Sequence, residues 1–388
     1  MKNALGQFMT PDFLAAFVAK QVRPSDVIID MAAGDGSLLA AVSKRSTGAQ
    51  LIGFDIDKCM VRSALATRGI SIKCANGLTT RISAGALNGQ VTIIGNPPFI
   101  SGPADTKGWI KAAFPNLPGK KAFDRLEIQF LARALTMAKS SGARVVFVMP
   151  VGFADGDTYR HLRTELMGHF QLSRCIEVSG APFEETEART VVLVIDPLTT
   201  PRYLTEIAEF DGASGKVTRI VKQRLEPGVR LDARFHRATR DGKAITLLQL
   251  KDIEVSITRG LFSRKDAEMS NVQALHTSDL SNAVEGRIRA QSNLSRKELG
   301  KHVVARKGDI LLSRTGSRVS WEPVILHSGF APITDHVFRI RAHESVRSLV
   351  VRSFQHPAFG KWLQGVSKGV CATVLTKREL LEMPLFAS

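Results

Sequence analysis

Residues 27–37 read Val-Ile-Ile-Asp-Met-Ala-Ala-Gly-Asp-Gly-Ser, an apolar run that ends in an acid and leads into a glycine-containing loop. Apolar residues at helical spacing follow at positions 38, 39, 41 and 42. Gly34 and Gly36 let the backbone approach a ligand closely, and Ser37 is placed to cap the helix. The stretch therefore predicts a strand, a ligand-binding loop and a helix, which together begin an α/β sheet.

Three further strand-like stretches also end near a polar side chain: residues 51–54 before Asp55, residues 70–74 before Asn76 and residues 91–94 before Asn96. Read as parallel strands, these stretches bring their polar ends to one edge of the sheet, where open parallel sheets bind ligands. We expect the carboxylate of Asp55 to hold two ribose hydroxyls at that edge, as in nucleotide-binding α/β sheets.

The tetrapeptide Asn96-Pro97-Pro98-Phe99 follows the last of these strands. Two consecutive prolines remove two backbone donors, so the neighbouring carbonyl groups can point away from a sheet ladder. The Asn96 side-chain oxygen and the Pro97 carbonyl would then accept hydrogen bonds from an aromatic amine while Phe99 stacks on its ring. The tetrapeptide predicts a site for a planar amine, and the alternative is a strand that ends in a Pro-Pro turn.

The chain is strongly basic, and the excess lies mostly in its second half. Its 388 residues carry 53 Lys and Arg against 36 Asp and Glu, a net charge of +17. Residues 1–200 hold 22 basic and 17 acidic residues, which leaves 31 and 19 for residues 201–388. Such an imbalance favours a phosphate-backbone partner over a merely solvated basic face.

The four cysteines, at positions 59, 74, 175 and 371, show no paired or metal-ligand spacing. We therefore expect a reducing compartment, without disulfides and without a metal site. No run of 18 apolar residues occurs, and the first residues lack the apolar core of a secretory signal. These features predict a cytoplasmic protein with no membrane partner.

A change of composition near residue 200 predicts a domain boundary. Residues 196–201 carry two prolines, and a charged, poorly periodic stretch runs from there to about Arg230. From Leu231 onward, short apolar runs alternate with turns. We expect a first domain over residues 1–200, a linker over 201–227 and a smaller mixed α+β domain over 228–388.

The order of these motifs resembles that of the gamma-class DNA amino-methyltransferases, which use S-adenosylmethionine and mostly form N6-methyladenine. Residues 5–11 resemble the opening cofactor motif of that family, residues 30–36 its methionine-binding loop, and residues 96–99 its catalytic tetrapeptide. Residues 127–135 and 144–153 resemble its later helix and strand. Met31 replaces a usual proline, and Asn76 stands where an aspartate usually contacts the adenine amine of the cofactor.

The resemblance implies an S-adenosylmethionine-dependent methyltransferase fold, an α/β Rossmann-like sheet, over about the first 195 residues. It assigns catalysis to Asn96, Pro97, Pro98 and Phe99, and stacking on the target base to Phe99 and Phe183. It assigns binding of the S-adenosyl-L-methionine cofactor to Thr10, Pro11, Asp30, Ala32, Gly34, Gly36, Asp55, Ile56, Asn76, Gly77 and Asn96.

The second half resembles a single target-recognition domain of type I restriction specificity subunits. Residues 307–317, 333–338 and 375–381 carry this resemblance, which is looser than that of the first half. It implies a DNA-recognition domain, in which arginine can address guanine and lysine more often holds phosphate. The expected DNA-binding residues are Arg259, Arg264, Lys265, Arg314, Ser317, Arg318 and Trp321. For each of these residues a solvated surface position is the alternative, and for Trp321 packing in a small core is a further one.

Together these features predict a site-specific methyltransferase of restriction-modification type, acting on the N6 amine of an adenine flipped out of double-stranded DNA. A bacterial or phage origin, association with the nucleoid, and a separate nuclease or defence-complex partner would fit this prediction. C5-cytosine chemistry is disfavoured because none of the cysteines follows a proline. The alternatives are N4-cytosine methylation, methylation of RNA or protein, and a non-catalytic DNA-binding subunit of a defence complex.

Overall fold

The computed structural model describes residues 9–103, 105, 107–118, 124–179, 189–198, 204–242, 248–316, 322–366 and 373–386. The chain divides into two compact units, an N-terminal unit of Met1–Ala233 and a C-terminal unit of Arg234–Ser388. Each unit has a sheet and an apolar core of its own. Among the described helices, none has both the length and the apolar character that a membrane span needs.

Among the described residues, the N-terminal unit begins with alternating helices and strands and ends in four consecutive strands. Its strands in the described residues are β1 (Val27–Asp30), β2 (Gln50–Asp55), β3 (Lys73–Cys74), β4 (Val91–Gly95), β5 (Arg144–Pro150), β6 (Phe170–Ser179), β7 (Thr190–Pro197), β8 (Thr205–Asp211) and β9 (Val217–Gln223). Its helices there are α1 (Asp12–Ala19), α2 (Ser37–Ser43), α3 (Lys58–Arg68), α4 (Trp109–Ala113), α5 (Leu126–Ser141), α6 (Val151–Asp155) and α7 (Arg160–His169).

These described strands form one sheet in the order β3-β2-β1-β4-β5-β7-β6-β8-β9. The strands from β3 to β5 are parallel, whereas β7 runs antiparallel to both β5 and β6. From β1 the chain moves outward to β2 and β3 and then returns to place β4 on the other side of β1. Such a reversal opens a crevice at the carboxyl ends of the central strands.

Alternate side chains of the central strands enter two different cores, as a sheet buried on both faces requires. Ile29 and Ile93 pack with apolar residues of α4, α5 and α7, while Ile28 and Ile94 pack with residues of α1, α2 and α3. Helices therefore cover both faces of a mixed sheet. This arrangement confirms the α/β fold class predicted from the sequence.

The division of the chain differs from the boundaries expected from composition. Residues 205–211 and 217–223 fall in the predicted linker, but they are strands β8 and β9, and β8 pairs with β6. β9 is the last strand in the sheet order and its side chains are mostly exposed, so its polar sequence lacks the apolar pattern of an inner strand. A strand predicted over residues 70–74 is also shorter, at Lys73–Cys74.

Buried polar contacts attach residues 228–233 to the N-terminal unit, which explains why the division falls after them. The guanidinium of Arg163, 1% exposed, donates to the carbonyl oxygens of Val229 at 2.9 Å and Phe153 at 2.8 Å. The Glu177 carboxylate accepts a 3.1 Å hydrogen bond from the backbone nitrogen of Ala233. A boundary near residue 200 would separate these partners.

The C-terminal unit is a smaller mixed domain, as predicted. Its described strands are β10 (Val255–Arg259), β11 (Arg287–Ala290), β12 (Val304–Arg306), β13 (Ile310–Ser313), β14 (Thr315–Gly316), β15 (Val324–Pro332), β16 (Val337–Ala342) and β17 (Thr373–Val374). The accompanying helices are α8 (Ala233–Gly242), which begins at the boundary, α9 (Arg264–Met269), α10 (Thr277–Ser281), α11 (Arg296–Leu299), α12 (Glu344–Gln355), α13 (Pro357–Val366) and α14 (Lys377–Leu381).

The larger sheet of this unit, as far as the described residues show it, has the order β10-β16-β13-β15-β11, with β12 also paired to β15. Ile310 and Leu312 on β13 pack with the apolar side chains of α12 and α13 on one face. Leu311, between them, packs with Leu326 and Ile333 in a separate cluster on the other face.

Candidate active site

A cavity of about 290 Å³ opens at the carboxyl ends of the parallel strands of the N-terminal unit. All the predicted cofactor residues except Pro11 and Gly36 line it. The full lining comprises Met9, Thr10, Asp30, Met31, Ala32, Ala33, Gly34, Asp35, Ser37, Leu38, Asp55, Ile56, Asn76, Gly77, Leu78, Asn96, Pro98, Ile100, Pro103, Leu126 and Phe130. The strand ends singled out in the sequence therefore meet at one place.

The loop after β1 is held by its own polar groups. Gly36, at φ 77°, is the residue before α2, and this left-handed conformation explains why glycine stands there. The Asp35 carboxylate accepts a 3.1 Å hydrogen bond from the backbone nitrogen of Ser37. Asp35 rather than Ser37 therefore satisfies this first turn of α2, and the predicted cap was wrong, because Ser37 already lies inside the helix.

Asp30 places an incompletely satisfied carboxylate in the cavity. The residue is 1% exposed, and its Oδ1 accepts a 3.0 Å hydrogen bond from the backbone nitrogen of Ala32. Among the described residues, its buried Oδ2 has no hydrogen-bond partner. Burial, together with the nearby charge of Asp55, raises the pKa of Asp30 to about 7. A cationic ligand group would supply the missing partner.

Asp55, the last residue of β2, links that strand to the loop after β1. Its carboxylate accepts hydrogen bonds of 2.8 Å from the backbone nitrogens of both Gly34 and Asp57. Burial raises the pKa of Asp55, although these backbone hydrogen bonds oppose the rise. Each carboxylate oxygen retains further acceptor capacity toward hydroxyl groups in the cavity.

The segment after β3 approaches the β1 loop so closely that it excludes a side chain. A Cβ atom on Gly77 would lie 1.7 Å from the carbonyl oxygen of Met31. Trp109 donates a 2.9 Å hydrogen bond to the Leu78 carbonyl, and Arg133, 5.3 Å from the Trp109 ring centroid, donates to the Gly77 carbonyl. Burial lowers the pKa of Arg133 to about 10. These contacts fix residues 76–78, which form one wall of the cavity.

Part of the lining was missed in the sequence. Leu126 and Phe130, one helical turn apart on α5, form an apolar wall together with Ile100 and Pro103. The resemblance predicts a helix over residues 127–135, which include Phe130. It does not predict which face of α5 reaches the cavity, because that depends on how the helix packs. Periodicity alone does not distinguish a cavity wall from core.

The tetrapeptide lies beside the cavity, and its asparagine is oriented by a residue far away in the sequence. Asn96 Nδ2 donates a 2.9 Å hydrogen bond to the hydroxyl of Thr10, so the amide oxygen lies on the other side of the carboxamide. Pro98 lines the cavity, whereas Pro97 is buried and the partly buried Phe99 packs against an apolar cluster.

Arg125 connects the tetrapeptide to α5. Its guanidinium donates a 3.0 Å hydrogen bond to the Phe99 carbonyl and a 2.8 Å hydrogen bond to the carboxylate of Glu127. The Glu127 side chain is fully buried, and burial raises its pKa against the opposing effect of Arg125. The backbone nitrogen of Leu126 also donates to the Ile100 carbonyl at 3.0 Å. These contacts fix the backbone just after the tetrapeptide.

Two of the predicted DNA-binding residues, Arg259 and Arg314, lie at the ends of two strands of the C-terminal unit that flank β16. Arg259 ends β10 and Arg314 follows β13, and the proximity of Arg259 contributes to the lowered pKa of Arg314, after burial. Arg264 forms a 2.8 Å ion pair with Glu268, and Lys265 is exposed. Ser317, Arg318 and Trp321, and also Phe183 in the N-terminal unit, lie outside the described residues.

The described residues contain no group of three or more His, Cys, Asp and Glu side chains arranged to hold a metal ion. What the cavity offers instead is a set of carboxylate, amide and backbone groups next to an apolar wall. Such a set can hold a ligand that combines a cation, hydroxyl groups and a flat ring.

Comparison with protein families gives a match over the first half of the chain: the model described as N-6 DNA Methylase matches residues 1–203. No curated protein matches the chain.

Similar solved structures include restriction-modification proteins. The type IIL enzyme MmeI, in complex with DNA, has 12% identity and a TM-score of 0.55 over 96% of this chain and 63% of its own. The type IIG restriction endonuclease BpuSI has 14% identity and a TM-score of 0.50 over 98% and 59%. A type I methyltransferase subunit from Streptococcus thermophilus has 17% identity and a TM-score of 0.46 over 61% and 53%. The chain thus spans less than two thirds of each of these structures.

Proposed function

The chain belongs to the N-6 DNA methylase family, and from this premise we propose that it is a site-specific DNA methyltransferase that transfers a methyl group from S-adenosyl-L-methionine to the N6 amine of adenine. The observation that carries the proposal is the position of Asn96. Its carboxamide, held by Thr10 at 2.9 Å, lines the same cavity as the carboxylates of Asp30 and Asp55.

The cavity fits S-adenosylmethionine on the evidence of its own polar atoms. Asp30 Oδ2, buried and without a partner among the described residues, would accept from the ammonium group of the methionine part. Asp55 would hold the ribose hydroxyls. Phe130 and Leu126 provide an apolar wall for the adenine ring, and Asn76 lies in the same lining to contact its amine. When bound, the cofactor would supply a methyl group attached to a positively charged sulfur.

The exocyclic amine of adenine is a poor nucleophile, because its lone pair is delocalised into the ring. The Asn96 side-chain oxygen and the Pro97 carbonyl would each accept a hydrogen bond from one of its two N–H groups and so localise the lone pair on nitrogen. As the new nitrogen–carbon bond forms and the sulfur–carbon bond breaks, the amine releases one proton to solvent. The chain needs no covalent nucleophile for this reaction.

The proposed substrate is double-stranded DNA. An adenine in a duplex must leave the base stack before its amine can reach a cavity, and Phe99 and Phe183 are the proposed stacking partners of the flipped base. The C-terminal unit is the proposed DNA-recognition domain, since residues 234–388 hold 25 basic against 14 acidic residues. Contacts with phosphates would position the duplex, and contacts with base edges would select the site.

The proposal is tested by incubating the full chain with methyl-labelled S-adenosylmethionine and unmethylated genomic DNA, followed by nucleoside analysis. We expect label in N6-methyladenine, and none when the DNA is replaced by RNA or protein. Label in N4-methylcytosine would show that the methyl group goes to the exocyclic amine of cytosine and would overturn the assignment to adenine. DNA binding without any label would favour a non-catalytic subunit and overturn the proposed activity.

A further inference from the structure

A cavity of about 760 Å³ lies in the C-terminal unit, and neither Arg259 nor Arg314 lines it. Four arginines and a histidine contribute to its lining: Arg296, Arg306, Arg339, Arg341 and His302. Phe330, 44% exposed, lies beside them. We call this surface the arginine groove.

The strand pattern explains why arginines collect there. Arg339 and Arg341 alternate on β16 with Phe338 and Ile340, whose side chains pack in the core beneath α12 and α13. Since successive strand residues point to opposite faces, the two arginines emerge on the face that these helices do not cover. Arg306 ends β12, directly opposite Phe330 on β15.

Among the described residues, carboxylates balance only part of the positive charge of the groove. Both oxygens of Asp309 accept hydrogen bonds of 2.7 Å from Arg341. Arg339 donates a 2.8 Å hydrogen bond to the Val304 carbonyl, and its buried Nε has no partner among the described residues. Burial lowers the pKa of Arg339, and the charges of Arg341 and Arg306 lower it further.

Arg296 and Arg306, both exposed, make no ion pair with any described residue. Crowded guanidinium groups without matching carboxylates are stabilised by an external anion, and their planar donor pairs match the oxygens of phosphate. An exposed aromatic ring beside them adds apolar contact area for the sugars that connect phosphates. A run of phosphodiesters supplies both features.

The groove is separate from the end of the sheet that holds Arg259 and Arg314. Ser313, just before Arg314, pairs with Val337 at the start of β16, and Arg341 lies four residues further along that strand. At the rise of an extended strand this separation corresponds to roughly 13 Å. The two surfaces can therefore contact different parts of one ligand.

We propose that the arginine groove binds the phosphodiester backbone of duplex DNA and supplies affinity that does not depend on sequence. The inference rests on the proposed function, because it takes DNA as the substrate. In this proposal the groove positions the duplex, and other residues of the C-terminal unit recognise the bases.

The test compares the double variant Arg296→Gln/Arg306→Gln with the control Arg352→Gln/Lys361→Gln in the full chain. The control removes the same charge from exposed positions on α12 and α13, the helices that cover the other face of the sheet. The measurement is the affinity for a short duplex of arbitrary sequence between about 50 and 200 mM salt, where each phosphate contact contributes a slope of about 0.9.

We expect the groove variant to bind the duplex about tenfold more weakly at low salt, with a salt slope smaller by roughly 1 to 2. Cofactor affinity should be unchanged, and the control should match the wild-type chain. Equal slopes for the groove variant and the wild-type chain would overturn the inference and leave the proposed methylation intact. A wild-type chain that binds no duplex would instead overturn the proposed function together with the inference.

Discussion

Asn96 Nδ2 donates a 2.9 Å hydrogen bond to the hydroxyl of Thr10, a residue 86 positions earlier in the chain. The bond joins the segment before α1 to the tetrapeptide after β4, and both residues line the cavity at the strand ends. A carboxamide can present either its nitrogen or its oxygen toward a ligand. With its nitrogen donating to Thr10, the Asn96 carboxamide presents its oxygen, the acceptor that an amine needs, on its opposite side.

The first prediction concerns Thr10. Thr10→Val keeps the shape of the side chain but removes the acceptor, so Asn96 loses the contact that selects its orientation. We expect the single-turnover rate of methyl transfer to fall roughly tenfold, the effect of about 1.4 kcal/mol, with a smaller change in cofactor affinity. Thr10→Ser restores a hydroxyl and should recover most of the rate. Equal rates for the Val and Ser variants would remove Thr10 from this role.

The sequence predicts one half of this relationship. Asn96 stands out because two prolines follow it, and Thr10 was expected to bind the cofactor. Their contact is a long-range one, and a local pattern carries no information about it. The same reason hides the cavity face of Phe130, which depends on the rotation of α5 against the sheet.

The strand ends were predictable because an inner parallel strand is a continuous apolar run, so the first polar residue marks its end. Asp30, Asp55 and Asn96 lie at their expected places. The sequence does not predict β9, because it is an edge strand whose exposed Lys222 and Arg219 interrupt any apolar pattern. The predicted linker covers this charged stretch together with β8. Because β8 pairs with β6, the stability of the N-terminal unit should depend on residues beyond 200.

The second prediction follows from those strands. A chain ending at residue 233 keeps β8, β9 and the contacts of Arg163 and Glu177, and we expect it to fold and bind S-adenosylmethionine. A chain ending at residue 200 exposes the edge of β6 and should unfold at a lower temperature or aggregate. Thermal unfolding of both, with and without cofactor, makes the comparison. Equal melting temperatures would contradict the structural role of β8 and β9.

The third prediction concerns the pH dependence that Asp30 produces. Its pKa in the folded protein is about 7, above the 3.8 of an unperturbed carboxyl, so the folded state binds the proton more tightly than the unfolded state. The contribution of Asp30 to stability is therefore greatest below about pH 4 and is lost as the pH rises toward 7. Without cofactor, Asp30→Asn should be more stable than the wild-type chain at pH 8, by at most about 4 kcal/mol, and equal to it near pH 4.

The same substitution should weaken cofactor binding, because the ionised Asp30 carboxylate is the proposed partner of the cofactor's ammonium group. Calorimetric titration from pH 6 to 8 should show the affinity of the wild-type chain rising through about pH 7, and Asp30→Asn should lack this rise. A variant that is less stable at pH 8, or that keeps the full pH-dependent rise, would contradict the assignment.

The fourth prediction separates Asp55 from its neighbour. Asp55→Asn removes a carboxylate that lines the cavity, and we expect cofactor affinity to fall at least tenfold, as the loss of a charge-assisted hydrogen bond implies. Duplex binding should change little. Asp57→Asn is the matched control, because Asp57 caps α3 through Cys59 at 2.8 Å and does not line the cavity. Equal cofactor affinities for the two variants would exclude Asp55 from the ribose site.

The most direct test of the proposed role of Asn96, holding the target amine during methyl transfer, is the single-turnover rate of Asn96→Ala with saturating S-adenosylmethionine and DNA. One hydrogen bond of this kind is worth on the order of 3 kcal/mol in the transition state, so the rate should fall by about 100-fold or more. Cofactor affinity and the melting temperature should stay close to those of the wild-type chain. A variant that transfers the methyl group at the wild-type rate would contradict the account.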